Sequence, residues 1–145
     1  MLNRLAMMLI EAGIVTQDDI EEITEEYGPG ETELAEILVA TGKVPEEIVT
    51  EFMASIYSVE PIYLNELDIP SEMAQKLPED MARRFIIIPV EDTPHGFHVA
   101  MANPGNLYAL DELKFSIGKE VIPFASAPSA IRRSLDELYG KADDL

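Results

Sequence analysis

The sequence of 145 residues contains no cysteine. Disulfides, thiolate catalysis and sulfur-ligated zinc are therefore excluded, and the composition suits a reducing compartment without requiring one. Basic residues are also scarce, with ten Lys and Arg against 28 Asp and Glu and a formal charge of −18. A field of that sign repels nucleic acid and anionic lipid, so neither is an expected partner. No run of about 18 apolar residues is present to cross a bilayer, and Met1-Leu2-Asn3-Arg4 leads straight into an amphipathic pattern. The chain reads as cytoplasmic, with no direct membrane insertion.

Catalytic signatures are missing too. Gly42-Lys43 has Ile37 where a phosphate loop needs its first glycine and Val44 where it needs Ser or Thr. No G-x-S-x-G elbow occurs, and the many carboxylates lie on polar helix faces where water keeps them ionised. His95 and His98 are the only histidines; strand alternation points His98 outward, and no recognised ligand spacing surrounds the pair. The expectation is a protein that is not an enzyme, with no catalytic residues and no metal site.

What is present is a packed-core composition, 47% hydrophobic and 26% charged, and an internal repeat. RLAMMLIEAGIV at 4–15 and ELAEILVATGKV at 33–44 align at a shift of 29 residues. Leu5/Leu34, Ala6/Ala35, Leu9/Leu38, Gly13/Gly42 and Val15/Val44 are identical. Each copy has apolar residues at helical spacing and then a glycine suited to the left-handed position that ends a helix. A second helix should follow each time: Thr16 and Asp19 make a capping box, and Pro45-Glu46-Glu47 suits a first turn. Residues 1–58 thus form a pair of helical hairpins joined by Gly28-Pro29-Gly30. The acids concentrate here, with a net −12 over residues 1–60 and −6 over 61–145, and Glu21, Glu22, Glu25 and Glu26 mark a solvated face.

Residues 59–145 read differently. An extended connector at 59–64 precedes a short helix capped by Ser71 and another opened by Pro78. Phe85 to Val90 is β-rich and Gly96 to Met101 alternates, so a hairpin is expected with its turn at 92–96. Leu107, Leu110, Leu113 and Ile117 make the inner face of a helix that ends at Gly118, and Val121 to Ala125 is an edge strand because Pro123 lacks a ladder donor. Ser126 then caps a last helix carrying Ile131, Leu135 and Leu138, and 140–145 form a frayed tail. The fold class is α+β: two N-terminal hairpins followed by a small αββαβα subdomain with a three-stranded sheet. Arg83-Arg84 and Arg132-Arg133, the only paired bases, are expected in surface salt bridges.

RLAMMLIEAGIVTQDDI, its repeat ELAEILVATGKVPEEIV, KLPEDMARRFIIIPV and the stretch from MANP through LDELKF resemble the N-terminal domain of type II secretion and type IV pilus assembly ATPases. The resemblance implies a regulatory and docking domain whose protein partner is a cytoplasmic portion of the inner-membrane platform, which would place the chain peripheral to that membrane. One branch of the family binds cyclic di-GMP through tandem RLGxxLLxxGLLxxxxLxxxLxxQ motifs. Arg4, Leu5, Leu9, Ile10 and Gly13 match the first motif, as do Ile14, Val15 and Ile20, whereas Ala6, Thr24 and Tyr27 depart from it. The second copy departs further, with Glu33 in place of arginine, Ala35 in place of glycine, Lys43 at an apolar position and Ile56 in place of glutamine. The preferred reading is a protein-interaction domain with no cofactor; the alternative is a cyclic di-GMP sensor using Arg4, Leu5, Leu9, Ile10 and Gly13.

Overall fold

Helix starts and stops in the first half follow local chemistry. In the computed structural model, which describes residues 2–141, Asn3 accepts the Ala6 N–H at 2.8 Å and opens α1 (Arg4–Glu11). Gly13 then takes φ +74°, a left-handed turn that other residues adopt only with strain. Thr16 Oγ1 accepts from the Asp19 N–H at 3.1 Å and the Asp19 carboxylate accepts from the Thr16 N–H at 3.0 Å, a reciprocal cap that starts α2 (Gln17–Tyr27). Those bonds, with Lys43 nearby, hold the Asp19 carboxyl below its usual value. The second pair repeats the plan: α3 (Glu31–Ala40), Gly42 at φ +76°, then α4 (Glu46–Tyr57) with Glu46 and Glu47 favourably placed in its first turn. Leu5, Leu9, Ile20, Leu34, Leu38, Val49 and Met53 are all buried in one cluster that neither hairpin could close alone.

The second half begins with residues 60–62 running beside the end of the sheet, where Ala125 N–H donates to Glu60 O and Ile62 N–H to Ala125 O, both at 2.9 Å. Two short 3₁₀ turns, Leu64–Glu66 and Ser71–Gln75, lead to α5 (Glu79–Phe85). Next come β1 (Ile87–Thr93), β2 (Gly96–Met101), α6 (Leu107–Ile117), β3 (Val121–Ala125) and α7 (Pro128–Tyr139). The sheet order is β1-β2-β3, with β1 antiparallel and β3 parallel to β2. Pro89 and Pro123 thus both lie on outer strands, where a missing donor costs least, and a register shift follows Pro89. Phe97, Val99, Met101, Ile87, Ile88, Leu113, Ile131 and Leu135 fill a second core cluster. The α+β class and the αββαβα order are those expected from sequence.

Four local expectations fail, each for a reason. Ser71 is the first residue of its turn and Pro70 precedes it, so no side-chain cap forms. Phe85 ends α5 instead of starting a strand, because Ile86 adopts φ +55° and reverses the chain before β1. Leu107 opens α6 on the outer side, 71% exposed, while the small Ala109 takes the inner position beside Leu113. Ser126 does not cap α7: Ala127 holds that place with Pro128 at the first turn, and the Ser126 hydroxyl is buried with no hydrogen-bond partner. Of the tail, residues 142–145 lie outside the described residues.

Candidate functional site

Arg4 projects from the first turn of α1 into a junction of four elements. Its guanidinium carbon lies 5.0 Å from the Tyr57 ring centroid, and its Nη1 reaches Ile56 O at 3.5 Å near the end of α4. The Tyr57 hydroxyl donates to Glu31 Oε1, and Glu31 Oε2 accepts from the Leu5 N–H at 3.4 Å. Burial first, and the Glu31 carboxylate second, push the Tyr57 hydroxyl above its usual range. A Cβ on Gly105 would meet Tyr57 Cε1 at 2.5 Å, so the ring rests against the turn that precedes α6. Arg4 makes no ion pair among the described residues, and it remains exposed. This is a cation presented on an aromatic face, able to receive an anionic or planar group.

The other matching positions divide by depth. Leu5 and Leu9 are fully buried, Ile10 is half-buried, and Gly13 is exposed in its left-handed turn. In the second copy Glu33 is exposed at the place of Arg4, Ala35 is buried, and Lys43 reaches across to Asp19 at 3.4 Å. Glu21, Glu22, Glu25 and Glu26 stand exposed along α2, and none of them forms an ion pair among the described residues. His98 packs against Phe124 with ring centroids 5.1 Å apart and the rings tilted by 51°. No group of three metal-ligating side chains exists among the described residues.

Arg83, Arg132 and Arg133 form the salt bridges expected of the paired bases, whereas Arg84 has no ion pair among the described residues and lies over the Phe85 ring, 4.7 Å from its centroid. What sequence reasoning missed is which elements these bases join. Arg132 grips Glu36 of α3 through Nε at 2.6 Å and Nη2 at 3.3 Å, and Arg133 Nη2 reaches Glu46 of α4 at 2.7 Å. Ser129 Oγ donates to the same Glu46 carboxylate at 2.6 Å, and the Ala127 N–H donates to the buried Thr50 hydroxyl at 2.9 Å. Burial pushes the Glu46 carboxyl up, but hydrogen bonds from Arg133 and Ser129 outweigh it and hold it below its usual value. These bases close the seam between the halves. Arg83 instead pairs with Glu79 one turn back in α5 at 2.8 Å and ties that helix to α7 through Asp136 at 3.1 Å. The available signal was their rarity in an acidic chain.

A family model described as the MshEN domain matches residues 57–145, the segment that carries LPEDMARRF and MANP. The chain belongs to the MshEN domain family. It is thus a relative of the N-terminal domains of type II secretion and type IV pilus assembly ATPases, as its sequence implied. The chain is 26% identical over 141 residues to a type IV pilus assembly ATPase PilB of Myxococcus xanthus, covering 97% of this chain and 25% of that protein. It is 29% identical over 139 residues to the PilB of Thermus thermophilus, covering 94% of this chain and 16% of that one. It therefore spans a quarter or less of the length of these two relatives.

Among solved structures, the N-terminal domain of XpsE superposes with a TM-score of 0.71 at 22% identity, covering 94% of each chain. A structure of MshE with cyclic di-GMP gives 0.67 at 23% identity, covering 94% of this chain and 99% of that one. These likenesses establish the fold of this MshEN domain. No helix among its described residues is long and apolar enough to cross a membrane.

Proposed function

We propose that this MshEN domain is a non-enzymatic docking module, working in the cytoplasm, that joins a pilus or secretion ATPase to a protein of the inner-membrane platform. The observation that carries the reading is the α2 face: Glu21, Glu22, Glu25 and Glu26 are exposed and unpaired, whereas the acids at the seam are matched by Arg132 and Arg133. Unpaired charges of one sign on a rigid element favour fast, salt-sensitive capture of a basic surface. We read residues 1–58 and 59–145 as two subdomains that the seam holds as one body. The test is calorimetric titration of the purified domain with cytoplasmic segments of platform proteins. Saturable binding that weakens with salt is expected; heat from none of them would sink the reading.

A second reading has one observation in its favour. Arg4 is exposed on the Tyr57 ring at the start of the first motif, and MshE, which shares the fold, has a structure with cyclic di-GMP. Against it, Leu5 and Leu9 present no surface, and Glu33 places a negative charge where the motif has arginine. Titration with cyclic di-GMP decides: binding heat that vanishes in Arg4→Ala would establish a nucleotide sensor, and a flat trace would leave the docking module.

A further inference from the structure

The two hairpins are alike in sequence but not in what covers them. On the outer face of α4, Glu46, Thr50, Met53 and Ala54 are shielded by the β3–α7 junction. Ala125 and Ala127 join their core, the Ala127 N–H bonds to Thr50, and Ser129 and Arg133 bond to Glu46. The shift of 29 residues carries Glu46, Val49, Thr50, Met53 and Ala54 onto Gln17, Ile20, Glu21, Thr24 and Glu25. All five of the latter line one open cleft of about 430 Å³ between α2 and the start of α1, floored by Leu2, Asn3 and Pro29. The same shift carries Glu36, the acceptor of Arg132, onto Met7, which is 49% exposed. The first hairpin therefore has, open to solvent, the seat that the β3–α7 junction fills on the second.

Resting on the docking reading above, we propose that this α1–α2 cleft receives the first turns of a helix from a basic protein partner, seated as the β3–α7 junction and the first turns of α7 are seated on α4. The chemistry of the exchanged residues specifies the occupant. Glu21 replaces Thr50, so a carboxylate stands where the seam has a hydroxyl accepting the N–H that opens α7; helix N-termini favour such an anion. Glu25 replaces Ala54 and exchanges an apolar contact for a charge, which calls for Lys or Arg on the incoming helix. Met7 replaces Glu36 and asks for an apolar side chain where α7 carries Arg132. A second copy of this chain fits poorly: each copy carries a formal −18, and the matching helix of each copy is already engaged at its own seam.

The probe is a synthetic peptide of residues 125–139 of this chain with Arg132→Leu, Asp136→Lys and Glu137→Lys, acetylated and stapled at i,i+4 so that it is helical. It is titrated into the isotopically labelled protein. Expected are saturable amide shifts confined to 2–7 and 17–29, at least about tenfold weaker binding to the folded Glu21→Lys/Glu25→Lys variant, and further weakening by salt. No saturable shift, shifts centred elsewhere, equal binding by the variant, or equal binding of the peptide carrying the original Asp136 and Glu137 would each overturn the proposal. So would self-association of the protein alone that the double substitution abolishes, since the occupant would then be a second copy. The platform titration separates this idea from the broader reading. A platform segment that binds the variant as tightly as wild type sinks the cleft and leaves a docking module that uses a surface other than α2; a domain that binds no segment sinks the docking module, and the peptide arm still judges the cleft.

Discussion

Glu46→Ala tests whether polar contacts or apolar packing hold the two halves together. The carboxylate, half-buried in the first turn of α4, accepts Ser129 Oγ at 2.6 Å and Arg133 Nη2 at 2.7 Å. The serine bond is charge-assisted and partly buried, and such bonds contribute about 1.5 kcal/mol. The arginine side chain is 52% exposed, so solvent limits that pair to about 0–1 kcal/mol. The helix-terminal position of the carboxylate adds about 0.5 kcal/mol. Together Glu46→Ala should cost about 2–3 kcal/mol, a drop in Tm of about 5–9 °C for a chain of this size. Urea denaturation of Glu46→Ala, Ser129→Ala and Arg133→Ala apportions the loss, with Ser129→Ala expected to exceed Arg133→Ala. A cost below about 0.5 kcal/mol for Glu46→Ala would refute the reasoning and assign the seam to Ala125, Ala127 and their apolar neighbours.

The same residue makes a prediction with pH. Its folded value is lowered from the ordinary 4.5, so the unfolded chain binds the proton more readily. Its stabilisation is complete above that ordinary value and is lost as pH falls through the folded one. The gap between wild type and Glu46→Ala should therefore close on acidification; a gap that widens below pH 4.5 would contradict the assigned bonds.

Thr50→Val removes the hydroxyl that accepts the Ala127 N–H in a buried place; it should cost about 1–3 kcal/mol in urea unfolding while Thr50→Ser costs less. Gly13→Ala puts a side chain at φ +74° where nothing lies within 4 Å of the new Cβ, so the backbone alone sets a loss of about 1 kcal/mol, read as a shift in denaturation midpoint. Tyr139 donates to Leu77 O at 2.7 Å, and burial pushes its hydroxyl up to about 12. The folded chain thus keeps that proton longer than the unfolded one, and stability should fall as pH rises from about 10 towards 12. In Tyr139→Phe the alkaline loss should be smaller, which ultraviolet titration and melting curves together would detect.

The hairpins were legible because their information is local. A period of 3.6 residues, a glycine after each first helix and the Thr16–Asp19 pair each act within one or two turns, and the repeat states the pattern twice. The strands were legible for the same reason, with β2 running over Gly96–Met101 as its alternation predicts. The failures come where a distant element decides. Ser126 has the right residue type for a cap, yet the β3–α7 junction is drawn into the helical core, which buries its hydroxyl and leaves the turn to Ala127 and Pro128. Leu107 has the right hydrophobicity for a core, but the helix is rotated so that Ala109, which carries little hydrophobic signal, faces inward and Leu107, Tyr108 and Phe115 face out. Arg132 finds its acid 96 residues away and Arg133 87 residues away, and no periodicity encodes that pairing.

The repeat itself shows which differences carry information about partners. Positions that pack the hairpins stay apolar in both copies, as in Leu5/Leu34, Leu9/Leu38, Val15/Val44 and Ile20/Val49. Outward positions diverge: Glu21 against Thr50, Thr24 against Met53 and Glu25 against Ala54. Were both outward faces simply solvated, nothing would favour buried Thr50, Met53 and Ala54 on one and carboxylates on the other. The apolar set exists because the β3–α7 junction lies on it, with Ala125 and Ala127 in the same core, and its threonine is oriented by one backbone N–H. A face that had to stay soluble until a separate protein arrived could not carry that apolar set, since an uncovered patch invites self-association. Charge in place of methyl groups, on the same backbone and around the same kind of cleft, is what a seat for an intermolecular helix requires and what α2 presents.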